Sequence, residues 1–346
     1  MNPQRLQQIT ERYGRLSVAV LGDFCLDRYL EIDPARQETS LETGLPVYNV
    51  TRVRAQPGGA GTVLNNLVAL GIGRIIPLGF AGDDGEGFEL TRALRAMPGV
   101  WTDDFLQTPQ RRTFTYCKPL VVEGGMPPRE LNRLDSKNWT PTPFGVEDHL
   151  IAALTRHAER IDALVIMDQV DAAGTGVLTR RVLEAVGQIT GRRPQLRILA
   201  DSRRSLRGYP PVCLKMNRAE LGMLLGGTPP ASLAETKSAA VELARRSGRD
   251  VFVTLAEEGL LGAAAGGEVV HLPALPVRGE IDIVGAGDSV TANLTTALAA
   301  GAALEEALEL ASAAASVVIH QLGTTGTASV RQITETLTAA ARLEAE

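Results

Sequence analysis

The stretch Asp282-Ile283-Val284-Gly285-Ala286-Gly287-Asp288 sets a glycine-rich turn and a carboxylate where an extended segment passes into a helix. Upstream, Glu280-Ile281-Asp282-Ile283-Val284 carries β-branched residues suited to a strand end. Downstream, residues 289–300 put Val290, Leu294, Ala297 and Leu298 on one helical face, with Gly301 as the stop signal. Glycines expose bare backbone N–H groups around an anion, and the positive end of a helix favours negative charge there. A carboxylate at such a cradle repels a phosphate that is merely held. It has a use if it takes a proton from a hydroxyl that attacks that phosphate. Helix capping by Asp288 is the competing reading, and the motif alone does not choose between them.

Four apolar segments have the form of buried parallel strands: residues 16–23, 163–168, 197–201 and 250–255. Three of the four finish in Asp (Asp23, Asp168, Asp201), and open α/β sheets build their sites from polar residues at strand C-termini. Helical patterns such as residues 177–186 lie between these segments. The alternation predicts an α/β fold, a doubly wound and mostly parallel sheet with helices on both faces. Residues from about 29 to 55 and from about 111 to 135 instead alternate as short strands. They predict a small β lid inserted into one domain that spans residues 1–346. Residues 123–130 and 136–145 read as loops, and residues 304–322 and 334–346 as helices, the first closed by Gly323.

A chain of 346 residues with 44% hydrophobic and 22% charged content is that of a soluble globular protein able to bury a large core. Its net charge of −5 gives no support to nucleic-acid binding. The basic pairs Arg111-Arg112, Arg192-Arg193 and Arg203-Arg204 are scattered and read as solvated faces. No apolar run is long enough to span a bilayer, and residues 1–8 lack the apolar core of a signal peptide, so a cytoplasmic location is expected. Three cysteines and four histidines are dispersed, which predicts neither a disulfide framework nor a metal centre built from protein ligands. P-loop, dinucleotide and nucleophile-elbow fingerprints are absent.

A second glycine cluster, Pro57-Gly58-Gly59-Ala60-Gly61-Thr62, opens a helical pattern that runs to Leu70. Backbone at Gly58 and Gly59 allows a ligand to approach without Cβ interference, although a plain tight turn reads the same way. Taken in order, the motifs from about residue 16 to residue 330 resemble the PfkB, or ribokinase-like, carbohydrate kinases. Gly22-Asp23-Phe24-Cys25-Leu26-Asp27-Arg28-Tyr29 is similar to that family's opening strand and substrate-contacting aspartates. Residues 57–61 resemble its sugar-binding turn, and Asn217-Arg218-Ala219-Glu220 its Asn-x-x-Glu element beside the magnesium-bound phosphates. Thr254-Leu255-Ala256-Glu257-Glu258-Gly259 resembles its nucleotide-binding strand and turn, and Gly285-Ala286-Gly287-Asp288 its anion hole and catalytic base.

Within the family, residues 22–29, 45–47, 57–60, Arg133-Leu134-Asp135 and 322–324 resemble the D-glycero-β-D-manno-heptose-7-phosphate kinases. Three positions depart from the pattern: Thr62 and Ser312 each stand where an Asn is common, and residues 168–171 lack the usual Asp-Tyr-x-Lys-Gly. A changed sugar, a sugar phosphate of different length or reduced activity would fit those departures. No cytidylyltransferase-like region follows, so a bifunctional form is not expected.

The resemblance implies transfer of the ATP γ-phosphoryl group to a sugar or sugar-phosphate hydroxyl. Asp288 is then the base, and the N–H groups of Gly285, Ala286 and Gly287 hold the charge on the phosphoryl oxygens. Asp23, Asp27, Gly58, Gly59, Thr62 and Arg133 are the substrate-side candidates. Asn217, Glu220, Thr254, Glu257, Gly259 and Ser312 are the nucleotide-side ones. Mg²⁺ is expected on the nucleotide phosphates with Glu220 as outer-shell organiser. The likeness to potassium-activated members adds K⁺ beside Asp282. Exposed lid edges predict a homodimer through the β lid. The alternative is a sugar- or nucleotide-binding member of the same fold without catalysis.

Overall fold

The computed structural model describes residues 1–345. Its central sheet has eight strands in the order Val269–Leu272, Leu260–Ala263, Val251–Thr254, Cys213–Asn217, Arg197–Ser202, Ala163–Asp168, Ser17–Gly22 and Arg74–Leu78. The six from Val251–Thr254 to Arg74–Leu78 run parallel, and the last two close one edge as an antiparallel hairpin. The parallel strands are near-continuous apolar runs because helices cover both faces. One core layer gathers Val18, Val20 and Val165 with Val290 and Leu294; the other gathers Ala19, Leu21 and Ile166 with Leu150 and Val182.

A second, five-stranded sheet forms the lid. Phe24–Ile32 pairs antiparallel with Val50–Gly59 and parallel with Phe114–Val121, which also carries Arg129–Glu130 and Leu134–Ser136. The lid starts earlier than the alternation near residue 29 predicts. Only Asp23 separates the central strand Ser17–Gly22 from Phe24–Ile32, so the chain passes from sheet to lid with no turn.

The extended segment before Gly285 is not a strand. Residues 280–283 have no ladder partner; instead Asp282 N–H donates to the Ile319 carbonyl at 2.8 Å, and Ile283 stands 73% exposed. The helix that follows, Ala286–Ala299, is buried on every side from Ser289 to Leu298, rather than along the single apolar stripe its sequence suggested. It lies between Ala60–Ala69 and Leu304–Ile319 against the central strands. Gly323 closes no helix: Leu304–Ile319 ends one turn earlier, and Val330–Ala345 begins before residue 334.

One member of each of two basic pairs does structural work, while Arg112 and Arg192 face solvent. Arg111 is buried and donates to the Thr140 and Thr175 carbonyls, and Arg193 donates to the Ala158 and Ile161 carbonyls. No helix among the described residues is long and apolar enough to cross a membrane.

Candidate functional site

The carboxyl ends of the parallel strands, the N-terminus of Ala286–Ala299 and the lid strands converge on one region. Gly285 is the helix N-cap and holds φ 84°, a left-handed conformation that a side chain would strain. Asp288 is therefore the third residue inside the helix, and no side chain caps this end. The capping reading of Asp288 fails: its carboxylate takes no hydrogen bond and no ion pair among the described residues. Ala286 N–H is not available to a ligand, because it donates to the Ile283 carbonyl at 3.2 Å. The N–H groups of Gly285, Gly287 and Asp288 have no partner among the described residues, so Asp288 takes the place of Ala286 among the three expected open donors.

Asp288 retains some solvent contact, yet burial and then the charge of Asp201 raise its carboxyl to about 7 against the pull of Lys215 and Arg203. A carboxyl at that level changes charge near neutral pH, which suits general-base work.

Asp27 lies on the lid strand Phe24–Ile32 and is buried, and it too has no hydrogen-bond or ion-pair partner among the described residues. Burial raises its carboxyl, opposed by Lys118, Arg203 and Arg133. Gly58, its neighbour on Val50–Gly59, makes room for it: a Cβ there would lie 2.4 Å from Asp27 Oδ2.

Asp23 is different. Its Oδ1 accepts from Val177 N–H at 2.6 Å, and its Oδ2 from Gln169 and Val170 N–H at 2.9 and 3.3 Å. At 1% exposure it pins the sheet-to-lid junction to the loop after Ala163–Asp168, and sugar contact is not its visible role. Burial, with the charge of Asp168 second, lifts it to about 7. Asp168 itself accepts from Ser202, Arg204 and Tyr209.

Thr62 is buried in the first turn of Ala60–Ala69, and Gly59 carries the N-cap of that helix. Arg133 stays on the lid, bridged to Asp135 at 2.5 Å and stacked over the Tyr116 ring.

Of the residues expected to serve the nucleotide, Asn217 and Glu220 form a reciprocal capping box on Arg218–Leu225: Asn217 accepts from Glu220 N–H at 2.9 Å and Glu220 from Asn217 N–H at 2.7 Å. Burial raises the Glu220 carboxyl, with Asp201 adding to it and Lys215 opposing it. Thr254 pairs in register with Asn217. Glu257 is exposed in the short turn Ala256–Glu258, and Gly259 holds φ 95° at its end. Ser312 lies one turn before Ser316, which lines a cavity of about 170 Å³ with Leu275, Arg278, His320 and Ala339. Asp282 Oδ1 accepts from Val284 N–H at 3.0 Å and Oδ2 from Gly323 N–H at 3.3 Å, so its carboxylate ties the cradle to the 319–323 segment.

Arg203 and Lys215 are the residues that sequence reasoning missed. Arg203 directly follows the strand Arg197–Ser202, its N–H donates to the Asp168 carbonyl at 3.0 Å, and its exposed guanidinium has no acidic partner within 4.0 Å among the described residues. Its charge reaches both Asp27 and Asp288. The adjacent Arg204 is not a solvated face either, since it bridges to Asp168 at 2.9 Å.

A parallel sheet with a β lid, and a carboxylate beside open N–H groups at a helix start, define a phosphotransferase-type α/β scaffold. The chain belongs to the pfkB family of carbohydrate kinases, which it matches over residues 17–331. It is 32% identical over 329 residues to the bifunctional protein HldE of Trichlorobacter lovleyi, covering 94% of this chain and 63% of that protein. It is 34% identical over 323 residues to the HldE of Rhodospirillum rubrum, covering 92% and 62%. The chain thus spans less than two thirds of these relatives' length.

Among solved structures, its fold is similar to phosphofructokinase-2 of Escherichia coli (TM-score 0.69, 19% identity, 94% of this chain and 100% of that one). It is also similar to the ribokinase of Arabidopsis thaliana complexed with ribose and ATP (TM-score 0.65, 18% identity, 93% and 98%).

Proposed function

We propose that this carbohydrate kinase transfers the γ-phosphoryl group of ATP to a hydroxyl of a sugar phosphate, with heptose 7-phosphate as the first acceptor to test. The observation that carries the reading is the Asp288 carboxylate, unpartnered among the described residues, beside the open N–H groups of Gly285, Gly287 and Asp288. An acceptor hydroxyl donates its hydrogen bond to Asp288 and passes the proton as the bond to phosphorus forms. The open N–H groups, with the helix dipole behind them, take the charge on the transferred oxygens. Asp27, without a partner among the described residues, takes a second hydroxyl of the acceptor, and Gly58 gives it room. The heptose assignment rests on the relatives and on the motifs at residues 22–29, 45–47 and 133–135.

Magnesium fits the residues present. Glu220 spends one oxygen on its capping box and sits within the electrostatic reach of Lys215 and Asp201, so its other oxygen would be left for an ion on the nucleotide phosphates, which suits a water-mediated hold. Bound there, the ion supplies charge neutralisation on the nucleotide phosphates. For K⁺ the candidate remains Asp282, whose oxygens have one backbone donor each. A homodimer through the lid is supported by the edge strand Val50–Gly59 and its exposed Val50 and Val53, near Leu45 and Tyr48.

An ATP-coupled assay across pentoses, hexoses and D-glycero-D-manno-heptose 7-phosphate tests the reading. Turnover on the heptose phosphate that exceeds that on the neutral sugars is expected. ATP hydrolysis with no acceptor dependence, or nucleotide binding with no turnover on any acceptor, would refute it.

A further inference from the structure

Beneath the cradle lies a buried ion pair that the proposed chemistry has not yet used. Lys215, on Cys213–Asn217, is 7% exposed, and its Nζ is 2.7 Å from Asp201 Oδ2 on the adjacent strand, where the two residues are register partners. Thr291 Oγ1 donates to the same Asp201 oxygen at 3.0 Å. Thr291 is one turn beyond Gly287 and also reaches the Gly287 carbonyl at 3.1 Å. A Cβ added to Gly287 would stand 3.0 Å from Lys215 Nζ, so the ammonium lies directly against the turn. An ammonium has three donors, and Asp201 is the one acceptor found for it among the described residues. Buried ion pairs are seldom better for stability than apolar residues of the same volume, so stability alone does not account for a charge pair at this position.

We propose that Lys215, clamped by Asp201, is a positioning residue for the phosphoryl transfer inferred above: it fixes the Gly285–Asp288 turn and keeps a positive charge beside Asp288 and beneath the bound anion. The ionisable groups that act on Asp288 come from every element around it: Asp201 and Arg203 from one strand end, Lys215 from the next, and Asp27 from the lid. Glu220 and Asp288 both act on Lys215 from the cleft side. Asp201 and Asp27 repel the Asp288 charge, so Lys215 and Arg203 are what keep Asp288 able to ionise near neutral pH.

The test reads the Asp288 carboxyl directly, by carbon-13 NMR of aspartate-labelled protein, with the resonance assigned from Asp288→Asn. In Lys215→Met its midpoint should rise by about one pH unit or more, whereas Lys215→Arg should stay near wild type. A rise of less than about half a unit in Lys215→Met overturns the proposal. That outcome does not depend on turnover, so a chain that phosphorylates no acceptor removes the kinase reading and leaves the charge placement decided on its own. Should Lys215→Met fail to fold, the neutral double variant Lys215→Met with Asp201→Asn keeps an acceptor for Thr291. Calorimetry with ADP and beryllium fluoride should then show binding about 10-fold weaker or worse while ADP alone binds as in wild type. Equal binding of the phosphoryl mimic by the double variant and wild type overturns the proposal.

Discussion

Replacing Asp288 with Asn should stabilise the protein while disabling it, and the stabilisation should depend on pH. The structure holds the Asp288 carboxyl at about 7, above its ordinary 3.8. A raised folded value means that the native state binds the proton more tightly than the unfolded chain does. Ionising Asp288 therefore costs nothing below pH 3.8, a growing amount up to pH 7, and a constant amount above. Three units at about 1.4 kcal/mol each set a ceiling of about 4 kcal/mol. Residual solvent contact relieves part of that, leaving about 2 kcal/mol. With an unfolding entropy of about 2 cal/mol/K per residue, that corresponds to about 3 °C for a chain of 346 residues. Thermal melts of wild type and Asp288→Asn from pH 4 to pH 8.5 measure it. The Tm difference should grow by about 3 °C in favour of Asn and flatten near pH 7. Asp23, also at about 7, is present in both proteins and cancels. In the same variant kcat should fall by about 10²–10⁴ with acceptor KM nearly unchanged, and the acid limb that wild-type kcat/KM shows below about pH 7 should be absent. A Tm difference that is flat across the range, or that favours Asp, would refute the electrostatic account.

Asp23→Ala should destabilise by about 3–6 kcal/mol, measured by urea unfolding, because three buried backbone N–H groups lose their acceptor. A loss under about 1 kcal/mol would show that those groups find other partners. Gly58→Ala pushes a methyl against the Asp27 carboxylate, so acceptor KM should rise about 10-fold or more while nucleotide KM holds; equal changes in both would count against Asp27 as an acceptor contact. Glu220→Gln should raise the Mg²⁺ concentration needed for half-maximal rate several-fold with a stability loss near or below about 1 kcal/mol, since Gln keeps an acceptor for Asn217 N–H. An unchanged Mg²⁺ requirement would leave Glu220 as a capping residue alone.

The parallel core was legible because strands covered on both faces must be apolar without alternation, as in residues 163–168 and 197–201. The β-branched run at 281–284 misled for the complementary reason. Its propensity is that of a strand, but a strand needs a neighbour, and Asp282 commits this segment to Ile319 and Gly323 instead. The lid boundary was hidden because the change of sheet at Asp23 uses no turn residue and leaves Phe24, Cys25 and Leu26 as buried as the strand before. Lys215 and Arg203 carried no local signal. One faces Asp201 only because two strands share a register, and the other joins Asp27 to Asp288 only because the lid folds over the sheet.

Aspartate identity was visible throughout, whereas the surroundings that fix the role of each carboxylate were not. Asp23 is taken up by backbone N–H groups, Asp168 by Ser202, Arg204 and Tyr209, and Asp201 by Lys215 and Thr291. Those three hold lid, strand ends and helix in fixed relation. Asp27 and Asp288 alone of the five lack partners among the described residues, and they come from the lid and the helix that the other three fix. A buried acceptor without a donor is costly unless a donor arrives, and a polyhydroxyl ligand brings several. Substituting a pinning aspartate should therefore lower stability and rate together, whereas substituting Asp27 or Asp288 should lower rate and leave stability unchanged or improved. That division follows from the partner each carboxylate has, and it holds whichever sugar the cleft accepts.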